Sequence, residues 1–146
     1  MTDVAIAERY GARITEKKDA NREALLNELK LDGTGPLLVT VSRLAHQKGI
    51  DILHAALPRL LELGASVALL GDGDTAIEQA FARAVRAHPA RVAAFYRYEQ
   101  SLARQFYAGG DFFVMPSRYE PCGLGQMISQ RYGTVPIVRH TGGLVD

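Results

Sequence analysis

The stretch PLLVTVSRLAHQKGIDILHAALPRLLELGASVALLGDGD, Pro36 to Asp74, decides the fold. Leu37 to Ser42 is an unbroken apolar run rich in β-branched residues, the composition of a strand buried on both faces of a parallel sheet. The loop RLAHQKG follows. From Ile50 to Leu63 the apolar residues Ile52, Leu53, Ala56, Leu57, Leu60 and Leu61 recur at helical steps. Gly64 suits the C-cap of that helix, and Ser66 to Gly71 is a second apolar strand.

The same rhythm extends outward in both directions. Upstream, Leu25, Leu26, Leu29 and Leu31 predict a helix over Asn21 to Leu31, broken by DGTGP. Residues 1–20 are polar and weakly patterned and read as a loose lead-in. Downstream, Asp74 caps a helix that runs to about His88. Arg91 to Tyr96 is a strand, Glu99 to Ala108 a helix, Asp111 to Pro116 a strand, Gly123 to Tyr132 a helix and Val135 to Arg139 a strand. Alternation of this kind predicts an α/β fold, a doubly wound parallel sheet with helices on both faces. The sequence stops at TGGLVD, where such a domain normally adds a covering helix, so it reads as truncated at its C-terminus.

Composition excludes several classes. The 146 residues carry 17 basic and 16 acidic side chains, a formal +1, which gives no electrostatic case for nucleic acid or an anionic membrane. A single cysteine forms no internal disulfide, so nothing points to an oxidising compartment. No apolar run approaches the roughly 18–20 residues of a membrane span, and the N-terminus lacks the layout of a signal peptide. The reading is a cytoplasmic domain.

Ligands of open parallel sheets bind beyond the carboxyl ends of the strands. Five loops meet that rim: SRLAHQKG, GDGD, YRYEQ, PSRYEPCGLG and RHTGG. In the first, Arg43 and Lys48 offer a planar fork and a compact charge that together suit a diphosphate; as ordinary loop cations they would simply be solvated. In the fourth, Gly123 and Gly125 permit close backbone approach, and the helix starting there aims free N–H groups at the rim. Glu120 stands three residues before it. A carboxylate beside a phosphate site is costly unless it serves something else, such as accepting hydrogen bonds from sugar hydroxyls; the alternative is a solvated loop glutamate. Cys122 near a helix N-terminus has nucleophile potential, but no histidine at a telling spacing accompanies it, and a small side chain in a tight turn is the plainer reading. Tyr98, at another strand end, offers a stacking face for a base or is an ordinary rim tyrosine.

GDGDTA, Gly71 to Ala76, is the rival signal, because it imitates a dinucleotide fingerprint after a strand. Its two aspartates would repel pyrophosphate, and Glu99 is the residue left to bind a ribose. His46, His54, His88 and His140 share no metal-ligand spacing, so no metal and no cofactor are expected.

Taken together, SRLAHQKGID, LLGDGD, PSRYEPCGLGQ and RHTGGLVD resemble the consecutive C-terminal-domain motifs of bacterial glycogen and starch synthases. KKDANREALLNELKL is similar to the segment before that domain's first strand, so the resemblance runs from about Tyr10 to the end. It implies retaining glucosyltransferases with two Rossmann-like domains facing a cleft. These move glucose from ADP-glucose, or sometimes UDP-glucose, to the non-reducing end of an α-1,4-glucan. Residues 21–146 would then be an incomplete nucleotide-sugar-binding domain. By resemblance, Arg43, Lys48 and Glu120 are catalytic, the cations on the diphosphate and the carboxylate on the donor glucose. Backbone around Cys122, Gly123 and Leu124 would hold glucose and phosphate, and Tyr98 would face the adenine. Gly125 stands where these enzymes usually carry a threonine, and Ile128 where the wider superfamily often has a second glutamate. The acceptor would be bound through an N-terminal domain that this sequence lacks, leaving the chain inactive alone and prone to self-association through uncovered surface. Two alternatives remain: a two-domain glycosyltransferase with another acceptor, and a non-catalytic module binding nucleotides or a partner.

Overall fold

The structure is a computed structural model and describes residues 3–11 and 16–145. In chain order it contains α1 (Glu16–Leu29), β1 (Leu37–Val41), a 3-10 turn (His46–Lys48) and α2 (Ile50–Glu62). Next come β2 (Ser66–Leu70), α3 (Thr75–Ala87), β3 (Val92–Phe95) and α4 (Gln100–Gly109). The chain continues with β4 (Phe112–Met115), α5 (Leu124–Arg131), β5 (Val135–Val138) and a second 3-10 turn (Gly142–Leu144). The strands form one sheet in the order β3-β2-β1-β4-β5, and every pairing is parallel. The doubly wound α/β architecture expected from the alternation is the one observed.

Side chains alternate along the strands, so each strand feeds two cores. Leu38, Val67, Leu69, Val92 and Val114 point to the α2–α3 face and bury Ile50, Leu53, Leu57 and Phe81. Leu37, Val39, Ala68, Leu70 and Phe113 point the other way, against Leu25, Leu29 and Phe106 from α1 and α4. Burial on both faces is why β1 and β2 read as continuous hydrophobic runs.

The lead-in differs from expectation. Helix α1 begins at Glu16, inside the segment read as loose, and Ile6 and Tyr10 are buried in the core; residues 1–2 and 12–15 of that segment lie outside the described residues. The reason is that this part of α1 is held by polar anchors, which leave no apolar stripe to read. Lys18 Nζ donates to the carbonyls of Ala108 (3.0 Å) and Gly110 (2.9 Å) and to Thr134 Oγ1 (2.8 Å). Arg22 Nε donates to Asp111 Oδ2 (2.9 Å), and Asn21 Nδ2 to the Glu8 carbonyl (2.8 Å). Tyr10 Oη donates to the Tyr132 carbonyl (2.5 Å), tying the lead-in to the end of α5.

Burial holds the Lys18 ammonium down, from an ordinary 10.5 to about 8. Between those values the unfolded chain keeps a proton that the folded chain has released, so raising the pH favours folding. Burial lifts the hydroxyls of Tyr10 and Tyr107 to about 12, which acts in the opposite sense above pH 10. The urea midpoint should therefore climb from about pH 8 to pH 10, before the tyrosine effect sets in. In Lys18→Met that climb should be lost; an unchanged slope would show that Lys18 is not the group responsible.

Candidate active site

From β1 the chain winds outward through β2 and β3, then crosses back to β4 and β5 on the other side of β1. At the carboxyl ends of β1 and β4 the following segments therefore diverge, leaving the crevice in which ligands of such sheets sit. A cavity of about 300 Å³ occupies that point, and Arg43, Lys48, Ser117, Glu120, Leu124 and Gly125 are among its lining residues. A larger hollow, about 470 Å³, lies between α2 and α3. It is reached past Leu61, Ala87 and His88 near the helix C-termini, away from the strand carboxyl ends, and its wall is mostly apolar. Of these two, the smaller is the one that combines the fold's ligand position with convergent charged groups.

Lys48 ends the 3-10 turn after β1 and reaches across the crevice. Its Nζ lies 2.7 Å from Glu120 Oε2, and Ser117 Oγ donates to the same oxygen at 3.1 Å. Glu120 is only 7% exposed, so its carboxylate depends on these partners. Arg43 is exposed and makes no ion pair or side-chain hydrogen bond among the described residues. Gly123 is in the left-handed conformation (φ 71°) and opens α5 without a side-chain cap, leaving the first amides of that helix unclaimed by a capping side chain at the rim.

Direct contact between the two loops sets the spacing of these groups. A Cβ at Gly49 (φ 66°) would stand 2.1 Å from the Pro116 carbonyl oxygen, so only glycine lets the backbones meet. Arg118 grips Asp51 with both guanidinium ends at 2.7 Å, and its backbone N–H donates to the Gln47 carbonyl at 2.8 Å. The Arg118 hydrogen bonds hold the Asp51 carboxyl down to about 2. Behind them, the Gly143 N–H donates to the Glu120 carbonyl at 2.8 Å. Sequence reading did not single out Gly49, Asp51, Ser117 or Arg118. The available signal was KGID, a glycine followed by an acid in the first turn of α2.

The sequence candidates fall into two groups. Arg43, Lys48, Glu120, Leu124 and Gly125 come together around the cavity. Cys122 is exposed and Gly123 buried, both in the turn behind that wall. Tyr98 is 69% exposed beyond β3, about 10 Å from the end of β1 by the usual strand spacing. It is not brought to the cavity wall. The GDGDTA stretch has a different use: Asp74 Oδ1 accepts from the Ala76 N–H (2.8 Å), and Glu78 Oε1 accepts from the Gly73 N–H (3.2 Å). The N-terminus of α3 is thus filled by its own carboxylates, and Gly71 serves the close approach of its backbone to the Ser42 carbonyl.

A family model described as Glycosyl transferases group 1 matches residues 35–146. The chain belongs to this family. It is 52% identical to a glycogen synthase of Anaeromyxobacter dehalogenans, covering 99% of this chain and 31% of that protein. To a glycogen synthase of Halorhodospira halophila it is 47% identical, with the same coverage. The chain thus spans about a third of the length of these curated relatives. Among solved structures, the catalytic domain of starch synthase IV from Arabidopsis thaliana bound to ADP and acarbose superposes with a TM-score of 0.92 at 36% identity, covering 99% of this chain and 31% of that one.

Gly125 also has a packing reason in this chain. A Cβ there would lie 2.9 Å from Cε1 of the buried Phe113 ring. Gly125→Thr should cost about 1–3 kcal/mol by overpacking, measured by urea denaturation. In a Phe113→Leu background the cost should shrink; equal costs in both backgrounds would place the strain elsewhere.

Proposed function

We propose that this chain carries the donor-binding part of a retaining glycogen or starch synthase, which transfers glucose from ADP-glucose, or UDP-glucose, to the non-reducing end of an α-1,4-glucan. The observation that carries the reading is the convergence of Arg43, Lys48 and Glu120 on one cavity beside the N-terminus of α5. The glycogen synthase relatives and the ADP-bound starch synthase neighbour support it.

The chemistry follows from where charge develops. Breaking the bond between sugar and phosphate builds negative charge on the diphosphate and positive charge on the sugar ring. Arg43, Lys48 and the amides at Gly123 to Gly125 stabilise the first without reorganising, so in this reading the leaving group needs no metal or other cofactor. Glu120 accepts hydrogen bonds from the donor glucose, and Tyr98 lies outward along the rim where an adenine would extend. The acceptor glucan is bound by a second domain of the whole enzyme. The 146-residue chain alone therefore should not turn over. We place the enzyme in the cytoplasm; among the described residues no helix is long and apolar enough to cross a membrane.

The β5 edge supports self-association of the isolated chain. Val135, Ile137 and Val138 are 55%, 46% and 37% exposed on a strand whose outer hydrogen-bonding edge pairs with no strand among the described residues. Light scattering should show a dimer that persists without nucleotide, and a monomer at all concentrations would remove this part of the reading.

Arg43→Ala and Lys48→Ala should each weaken ADP binding by about 1.5–3 kcal/mol, the worth of a well-formed hydrogen bond to a charged group. Calorimetry with unchanged affinity in both variants would refute the diphosphate assignment. Glucan elongation by the isolated chain would refute its incompleteness.

A further inference from the structure

Lys48 and Glu120 hold charges that a diphosphate would treat oppositely, yet they lie 2.7 Å apart in one cavity. While they are joined, the carboxylate cancels the ammonium, and among the described residues Arg43 is the cavity's uncompensated cation. A phosphate arriving at Lys48 must weaken the bond to Glu120. It also meets the repulsion of a carboxylate that cannot retreat into water, because Glu120 is 7% exposed and fixed by Ser117. What replaces the donor that Glu120 gives up depends on the ligand. A nucleotide sugar brings hydroxyl donors with its phosphates. A bare nucleoside diphosphate brings none beyond its terminal phosphate, and that phosphate carries extra charge.

We infer that the Lys48–Glu120 pair is an exchange switch that makes Glu120 a specificity-determining residue, favouring the sugar nucleotide over the nucleoside diphosphate product. In the free protein Glu120 stands in for the phosphate on Lys48. When the donor enters, Lys48 turns its N–H groups to the diphosphate and Glu120 takes the sugar hydroxyls in exchange. After transfer the sugar's donors are gone, Glu120 is left with the Ser117 hydroxyl, and it competes with the diphosphate for Lys48. The same carboxylate that recognises the donor thereby promotes release of the product. The inference rests on the nucleotide reading of the cavity.

The test is calorimetric titration of wild type and Glu120→Gln with ADP and with ADP-glucose. Glutamine keeps the shape and the hydrogen bond from Ser117 but removes the charge. ADP should bind Glu120→Gln about tenfold tighter than wild type, the scale of relieving a close like-charge contact. The preference for ADP-glucose over ADP should fall by a similar factor. If wild type binds ADP and Glu120→Gln binds it equally or more weakly, the switch is overturned while the nucleotide site stands. If wild type binds neither ligand, the nucleotide reading fails and the switch with it. Should Glu120→Gln not fold by circular dichroism, Glu120→Asp serves instead. Its carboxylate is withdrawn from Lys48 by one methylene, and ADP affinity should move in the same direction by a smaller factor; no rise would count against the switch.

Discussion

The alignment of β1 with β4 is the constraint on which the site depends. These strands pair directly through Leu38 with Phe112 and Val39 with Phe113, although β2, β3 and three helices intervene in sequence. Asp111 fixes the near end: its Oδ2 accepts from the Leu37 N–H at 2.7 Å and from Arg22 at 2.9 Å, joining β1, β4 and α1 at a sequence separation of 74 residues for the first bond. Gly49 against Pro116 and Arg118 on Asp51 fix the far end. A slip of one residue would turn the strands' side chains to the wrong faces and separate Lys48 from Glu120. Packing and site geometry are thus set by one long-range register, which also places the site late among the contacts that a folding chain can form.

Two ion pairs bridge the segments that follow β1 and β4, and their geometry differs. Arg118 and Asp51 match fork to fork, with both carboxylate oxygens engaged at 2.7 Å. Arg118 spends another N–H on the His46 carbonyl at 2.8 Å. That arrangement uses the directional capacity of both groups. Lys48 instead meets a single oxygen of Glu120. An ammonium has three donors, and no other bond from Nζ exists among the described residues, so capacity remains on the cation that faces the cavity.

The sheet was legible in the sequence because each buried strand is a short apolar run between turn residues, and α2 because its apolar residues keep a 3.6-residue period. The rim residues Arg43, Lys48 and Glu120 were legible because the fold rule places strand-end loops together. The first turns of α1 were not. Lys18, Asn21 and Arg22 bind distant backbone and carboxylate oxygens, and polar anchoring of that sort leaves no periodicity. Arg118 and Asp51 were missed for a related reason: a salt bridge between a loop and a helix turn 67 residues apart has no local signature. Tyr98 shows the converse limit, since a strand-end position specifies the rim but not the distance along it.

Helix α5 shows how the unread segment reaches the site. It spans Leu124–Arg131, just over two turns, and Leu124, Met127 and Ile128 are exposed, so its own packing fixes it weakly. Its far end is better held. Tyr132 Oη donates to Asp3, Tyr10 donates to the Tyr132 carbonyl, and Thr134 Oγ1 accepts from the half-buried Lys18 ammonium. These contacts anchor the end of α5 opposite its N-terminal amides. The lead-in and α1 therefore brace α5 from its C-terminal end, while the Asp51–Arg118 bridge ties the β4–α5 loop to α2.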